Sequence, residues 1–375
     1  MDIDFDVKHG LEGVAVAISS ISYIDGEKGK LVYRGFEIED LVENSHFEET
    51  AYLIWFSSLP NENEIDFITS MLAKKRTLPK KIIEMMKSFP KNAHPMGVLR
   101  SVVSLLGMYS KKDSSTLENA INLTAKIPTI IAYWYRIKNN LPLIPPKESL
   151  KHSENFLYMM FGEIPKHSDL FDKALILHLE QGMNASTFAS TVTASTLSDI
   201  YSIITTAIGT LKGPLHGGAN EKVLNMFKEI KSVENVEPYI YTLISNKEKI
   251  MGFGHRIYKT YDPRAKILKH WIKDLFLKDN VEYFEIALKV EEIVIKEFKE
   301  KKIFPNVDFY SGILYNYFNI PSEFFTTIFA MARIVGWTAH AMEYRKNNRI
   351  FRPRSIYNGP KGLKYKEVKG VEKNG

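Results

Sequence analysis

Two histidines and one aspartate lie in stretches of this chain whose composition suits proton transfer beside an anion. The stretch Met251 to Arg264, MGFGHRIYKTYDPR, packs two glycines, a histidine, three basic residues and a proline into fourteen positions. Gly252 and Gly254 let the main chain come close to a ligand, because no Cβ stands in the way. His255 follows at once, and an imidazole is suited to trading a proton near neutral pH. Arg256, Lys259 and Arg264 surround it with positive charge, and a guanidinium fork matches a carboxylate or phosphate. One reading is an anion site with an acid in it; the other is a basic loop with a solvated histidine. A dinucleotide fingerprint fits less well, since the third glycine of G-x-G-x-x-G is missing and no strand precedes it.

Two further stretches carry matching chemistry. Gly213 to Asn220, GPLHGGAN, places His216 at the mouth of a helix whose apolar spacing is Val223, Leu224, Phe227 and Ile230. A helix N-terminus lowers a histidine's proton affinity and favours a neutral ring that donates a hydrogen bond. Asn306 to Gly312, NVDFYSG, sets Asp308 among apolar and aromatic neighbours, where desolvation raises a carboxylate's basicity. Two histidines and a carboxylate, each expected in a loop, make an acid/base set.

In this order and spacing, GPLHGGAN, MGFGHRIYKTYDPR, NVDFYSG and FRPRSIY resemble the citrate synthase family, and most nearly its shorter archaeal and bacterial members. The opening GLEGVAVAISSISYIDGEKGKLVYRGFEIEDL is similar to that of the family as well, so the likeness runs from about Gly10 to Pro360. The resemblance implies a mainly α, two-domain helical fold with a small amino-terminal β-hairpin. A large dimer-forming domain would comprise residues 1–215 and 321–375, and a small mobile domain that binds coenzyme A would comprise 216–320. Asp308 would take a proton from the methyl group of acetyl-CoA while neutral His216 steadies the thioester oxygen, and His255 would protonate the ketone oxygen of oxaloacetate. Arg264, Arg333 and, across the interface of a homodimer, Arg352 would hold the carboxylates. Ile250, Met251, Gly252, Phe253 and Gly254 would line the adenine pocket through their main chain, with Arg256 and Lys259 near the phosphates. The product would be citrate, at the start of the tricarboxylic acid cycle, with oxaloacetate bound first. The coenzyme A thioester is then a co-substrate, with no permanently bound cofactor and no metal. A 2-methylcitrate synthase using propionyl-CoA is the alternative, and a non-catalytic acyl-CoA-binding relative a more distant one.

One position departs from the pattern. Where the family carries a substrate-touching histidine, this chain has Gln181, which can donate to a carboxylate or carbonyl but cannot titrate. Nearby His178 aligns with a second family histidine and reads as a packed structural residue.

The elements that must position these groups are mostly helical. Ser19 to Gly35 alternates and turns through Asp25-Gly26, which predicts a short hairpin. From Glu37 on, helical periodicity dominates, with candidates at 48–57, 64–75, 96–108, 117–138, 265–277 and 282–301, and with Pro60, Pro79 and Pro90 as separators. The Ala/Ser/Thr-rich run after Asn184 reads as a helix made for close packing. Phe324 to Met342 is long and apolar, but Arg333 at its middle is costly in lipid, so a buried core helix is expected. A buried arginine needs a counter-ion, and a substrate carboxylate serves where no protein carboxylate does. His340 and Glu343 on the same helix have the spacing of half a metal site, without a second pair in the motif loops.

Composition sets the outer limits. At 375 residues, two domains are the natural expectation; 45% hydrophobic and 25% charged residues describe an ordinary globular protein. The net charge of +6 is spread among glutamates rather than gathered in a block, which argues against nucleic acid and favours small anionic substrates. Without cysteine there is no disulfide framework and no thiol catalysis. The opening MDIDFDVKHG lacks the apolar core of a targeting peptide, so a cytoplasmic location is expected. The lysine-rich tail from Lys361 reads as either frayed or an arm on the other subunit.

Overall fold

The structure, a computed structural model, describes residues 7–110 and 115–365. The amino-terminal hairpin forms where the alternation predicts it. Strands β1 (Ser22–Asp25) and β2 (Lys30–Tyr33) pair antiparallel, with Ser22 opposite Tyr33 and Asp25 opposite Lys30. Its turn closes because Asp25 Oδ1 accepts the Lys28 amide at 2.9 Å and Gly29 takes φ +65°, which a side chain disfavours. A two-residue strand β3 (Phe36–Glu37) adds a third member beside β2, which the alternation pattern does not reveal.

Sixteen α-helices follow among the described residues. The first five are α1 (Ile38–Asn44), α2 (Phe47–Phe56), α3 (Glu62–Lys74), α4 (Lys80–Ser88) and α5 (Pro95–Gly107). Asn61 and Glu64 start α3 with a reciprocal capping box. Pro79, a separator in the sequence, is the N-cap of α4, and Pro95 is the first residue of α5. Next come α6 (Thr116–Lys138), which runs through Pro128, α7 (His152–Phe161), α8 (Ser168–His178), α9 (Ala185–Ser195) and α10 (Ile200–Leu211). The last six are α11 (Ala219–Ile230), α12 (Val236–Ser245), α13 (Pro263–Phe276), α14 (Phe284–Glu297), α15 (Val307–Tyr317) and α16 (Phe325–Arg345). Helices α1, α4, α7, α8, α10, α12 and α15 have no counterpart among the periodic segments picked out from the sequence. Of the tail from Lys361, residues 366–375 lie outside the described residues.

Helix α16 is the axis of the packing. Every residue from Phe325 to Ala341 is buried, against α2, α6, α8, α9 and α10. The small side chains of α9 (ASTFASTVTAS) let it lie close to α10 and α16, as their spacing suggests. Gly336 marks the tightest approach: a Cβ there would stand 2.2 Å from Glu180 Oε2 and 2.7 Å from the Leu179 carbonyl oxygen. Among the described residues no helix is long and apolar enough to cross a membrane.

Helices α11 to α15 pack largely on one another, through α13 with α15, α11 with α15 and α12 with α14. A buried carboxylate knots them together. Glu291 on α14 accepts the Tyr261 hydroxyl at 3.0 Å and Lys269 Nζ of α13 at 2.9 Å through Oε1, and the Tyr310 hydroxyl of α15 through Oε2. Removing one partner of such a set leaves the others unpaired. Glu291→Ala is therefore expected to lower the unfolding free energy by on the order of 3 kcal/mol, as for other broken buried pairs. Urea denaturation reads this directly, and a loss below about 1 kcal/mol would mean that solvent compensates the strays as it does at a surface.

Candidate active site

The loop between α12 and α13 is shaped by two glycines with left-handed backbone, Gly252 at φ +80° and Gly254 at φ +79°. At Gly252 a side chain is excluded by space as well, because a Cβ would lie 2.8 Å from both Phe309 Cδ2 and Val223 Cγ2. Phe253 pairs with Pro305 in an isolated antiparallel bridge and sets its ring 4.6 Å from that of Phe309. The Gly254 amide donates to the Phe304 carbonyl and the Asn306 amide to the Gly252 carbonyl, each at 2.9 Å. Asn306 Nδ2 donates to the Gly254 carbonyl at 2.9 Å, so this loop is stitched to the start of α15.

His255 then turns back on its own chain. Its Nδ1 accepts the amides of Ile257 at 3.2 Å and Tyr258 at 3.1 Å, and an amide only donates. The ring's one proton therefore sits on Nε2. Burial, then the positive charge of Arg264, pushes its pKa down to about 4. Further along, Asp262 caps α13 and grips Arg264 in a bidentate pair, Oδ1 with Nε at 3.0 Å and Oδ2 with Nη2 at 2.7 Å. Both residues are buried, and two of the three Arg264 nitrogens are engaged by Asp262.

His216 is held from the other side of the site. Its Nε2 meets Ser186 at the first turn of α9, 2.8 Å from Oγ and 3.3 Å from the amide, which donates to it. Its single proton thus falls on Nδ1, which has no hydrogen-bond partner among the described residues. Ser186 is itself fixed, since Trp337 Nε1 donates to its Oγ at 3.1 Å and Asn184, the α9 cap, lies 2.8 Å away. Burial, and next Arg333, push the His216 pKa down to about 4. This corrects the cause expected from sequence, because α11 begins only at Ala219.

Asp308 does not lie in a loop. It is the second residue of α15, and Asn306 Oδ1 caps that helix by accepting the Asp308 amide at 3.0 Å. Oδ1 of Asp308 is shielded from solvent with no hydrogen-bond partner. Burial raises its pKa to about 7; Arg264 and Arg333 act against the rise and Asp262 with it. Arg333 lies inside α16, 1% exposed, with Nε on the His178 carbonyl at 2.7 Å and its guanidinium 4.6 Å from the Phe329 ring centre. It has no ion pair among the described residues, and its Nη2 is buried without a partner. Burial lowers its pKa to about 10. Gln181 is buried in the segment that follows α8, with Nε2 3.4 Å from the Tyr258 hydroxyl and Oε1 unpartnered.

The predicted site residues thus fall into two groups. His216, His255, Asp308, Arg264 and Arg333 are brought together, each linked to another by its charge, and Gln181 reaches the Tyr258 hydroxyl, which lies in the field of Arg264. Ile250, Met251 and Phe253 turn their side chains toward the core, and Arg256 and Lys259 are exposed on the same loop, with Lys259 Nζ 3.4 Å from the Arg256 carbonyl. Arg352 is not in the site of its own chain: it is exposed, with Nη1 donating to the Pro353 carbonyl. His178 is packed as expected, Nδ1 on the Ala174 carbonyl at 2.8 Å. His340 and Glu343 serve different partners, Glu180 for the first, Ser20 and Arg34 for the second. Among the described residues no three His, Cys, Asp or Glu side chains gather as a metal would need. Sequence reasoning missed Ser186, Asp262 and Asn306. Asp262 and Asn306 carried a visible signal as Asx residues before a helix start; Ser186 carried none beyond its small-residue run.

Comparison with known proteins accords with this arrangement. The family model described as "Citrate synthase, C-terminal domain" matches residues 10–354. Citrate synthase 2 of Bacillus subtilis is 48% identical over 365 residues, covering 95% of this chain and 97% of that protein. The crystal structure of citrate synthase from Thermotoga maritima superposes with a TM-score of 0.90 at 45% identity, covering 98% of this chain and 100% of the other. A ternary complex of citrate synthase from Thermoplasma acidophilum with carboxymethyl coenzyme A and oxaloacetate superposes with a TM-score of 0.92 at 37% identity, covering 96% and 98%. On the extent of these matches, and with the site built as described, the chain belongs to the citrate synthase family.

Proposed function

We propose that this protein is a citrate synthase, which condenses acetyl-CoA with oxaloacetate and hydrolyses the resulting thioester to citrate and coenzyme A. One observation carries the reading. Two imidazoles, each held neutral by burial and each fixed by a backbone amide on one nitrogen, share the fields of Arg264 and Arg333 with a carboxylate made basic by burial. A thioester methyl is a very weak acid, so its removal needs a base and a donor acting together. Asp308 takes the proton, and the N–H of His216 steadies the enolate oxygen without a full positive charge. The methyl carbon then bonds to the ketone carbon of oxaloacetate, and the ketone oxygen receives the Nε2 proton of His255. The donation leaves that ring one proton short, and the proton that Asp308 took from the methyl group restores it by way of solvent. Water finally cleaves the thioester and releases coenzyme A.

The carboxylates of oxaloacetate fit the unpaired Arg333, whose Nη2 lacks a partner, and the nitrogen of Arg264 that Asp262 does not use. Turning over the Gln181 amide lets Oε1 accept from the Tyr258 hydroxyl and frees the NH2 group for a carboxylate, which a histidine would otherwise serve. The exposure of Arg352 supports its placement in a homodimer, where Arg352 of the partner subunit completes the oxaloacetate site. The packing of α11 to α15 on one another supports the division into a large domain, 1–215 and 321–375, and a small one, 216–320, that closes on oxaloacetate before the thioester binds. The main chain of Ile250 to Gly254 then meets the adenine, with Arg256 and Lys259 at the phosphates.

Coenzyme A release, followed with a thiol-reactive dye in excess chelator, tests the reaction. With no cysteine in the chain, any thiol signal comes from product. Faster turnover of acetyl-CoA than of propionyl-CoA is expected; the reverse would assign the chain to 2-methylcitrate synthesis, and no release from either would sink the mechanism. Asp308 gives a second test. Because its pKa is raised in the fold, the carboxyl weighs against folding above about pH 7 and ceases to do so below its ordinary range. Asp308→Asn should abolish turnover yet melt at a higher temperature than wild type at pH 8, the gap narrowing as pH falls through 7 toward 4. Equal melting temperatures at pH 8 would show that Asp308 is not the buried base.

A further inference from the structure

The β1–β2 hairpin takes no part in the chemistry above, yet it touches both sides of the site. At its base, Ser22 Oγ donates to Glu180 Oε1 at 3.0 Å and the Tyr33 hydroxyl donates to the Glu180 carbonyl at 2.8 Å. Glu180 is fully buried and immediately precedes Gln181. Ile24 packs on the same turn, its Cδ1 3.3 Å from where a Cβ of Gly182 would stand. At the other end, the hairpin tip lies against the backbone that follows His255. A Cβ on Gly26 would be 2.3 Å from the Ile257 carbonyl oxygen and 2.9 Å from its carbon, and the Gly26 carbonyl accepts the Lys259 amide at 2.9 Å. Ile257 also supplies one of the two amides that hold His255 Nδ1.

We propose that this hairpin is a strut that ties the turn Glu180–Gly182 to the amides that orient His255, with Ser22 and Gly26 as positioning residues at its two ends. Through it, a 2-oxo dicarboxylate seated at Gln181 and Arg333 sets the loop that receives the acyl thioester. The base is anchored to a buried carboxylate by a charge-assisted hydrogen bond, so it cannot drift without leaving Glu180 short of a donor. The tip meets main chain rather than a flexible side chain, so no rotamer change absorbs a displacement there. The ladder between them makes the two ends move together. This role rests on the citrate synthase reading, and the test separates the two.

The decisive measurement is the affinity for a non-reacting coenzyme A thioether analogue, by titration calorimetry, with and without oxaloacetate. Wild type, Gly26→Ala and Ser22→Ala are compared as folded full-length chains. Oxaloacetate is expected to tighten analogue binding in the wild type, and each variant to lose at least about 5-fold of that enhancement, the lower end of ordinary coupling. Gly26→Ala should also lower kcat by about 10-fold or more while KM for oxaloacetate stays within about 3-fold, since a displaced acid costs rate rather than binding. If Gly26→Ala does not fold, Ser22→Ala, which removes one hydroxyl, decides alone. A purely structural hairpin would lower melting temperatures and leave the enhancement at the wild-type value; that result, or no enhancement in the wild type, overturns the strut. Absence of any coenzyme A release by the wild type would instead overturn the functional reading itself.

Discussion

A guanidinium enclosed in a helix bundle, with no carboxylate bonded to it among the described residues, sets the terms for much of this structure. Taking such a charge out of water costs several kcal/mol even after relaxation. Arg333 offsets part of this through the His178 carbonyl, the face of Phe329 and the field of Glu180. Glu180 then needs company of its own, which Ser22, the Gly182 amide and His340 supply. Gly336 is the consequence on α16, since any larger residue would occupy the space that Glu180 uses. The turn after α8, the seat of the hairpin and a glycine inside the central helix all follow from one buried positive charge.

Burial acts on the three acid/base groups in opposite senses and to one end. It makes both imidazoles poor bases and the carboxylate a better one. Near neutral pH the site therefore presents uncharged N–H donors beside a base that ionises in the working range. The arginines oppose the rise at Asp308 and add to the fall at the histidines, which limits the first and deepens the second. Positive charge in this centre thus tunes proton affinities as well as holding anions.

Much of this was legible in the residues. Gly252 and Gly254, the histidine after them and the carboxylate among aromatics announced a site, and the alternation of Ser19 to Gly35 announced the hairpin. Arg333 within an apolar run pointed to a missing counter-ion, and the described residues supply none by direct pairing. What escaped has physical reasons. Asp308 looked like a loop residue because Asn306 and Gly312 flank it, but Asn306 is a cap and Gly312 sits inside α15. Asp262 escaped because a helix cap two residues before an arginine shows nothing in sequence of the ion pair it also makes. Ser186 could not be singled out from a run of small residues; only the fold brings it to His216.

Asn306 carries a kinematic consequence. It caps the helix that bears Asp308 and at the same time binds both ends of the Gly252 to Gly254 segment, which leads directly into His255. Base and acid are therefore fixed in a single body, whereas His216 is anchored through Ser186 to α9 and Arg333 belongs to α16. Asp308 and His255 thus keep their separation through one side chain, while the placing of His216 and Arg333 depends on α9 and α16.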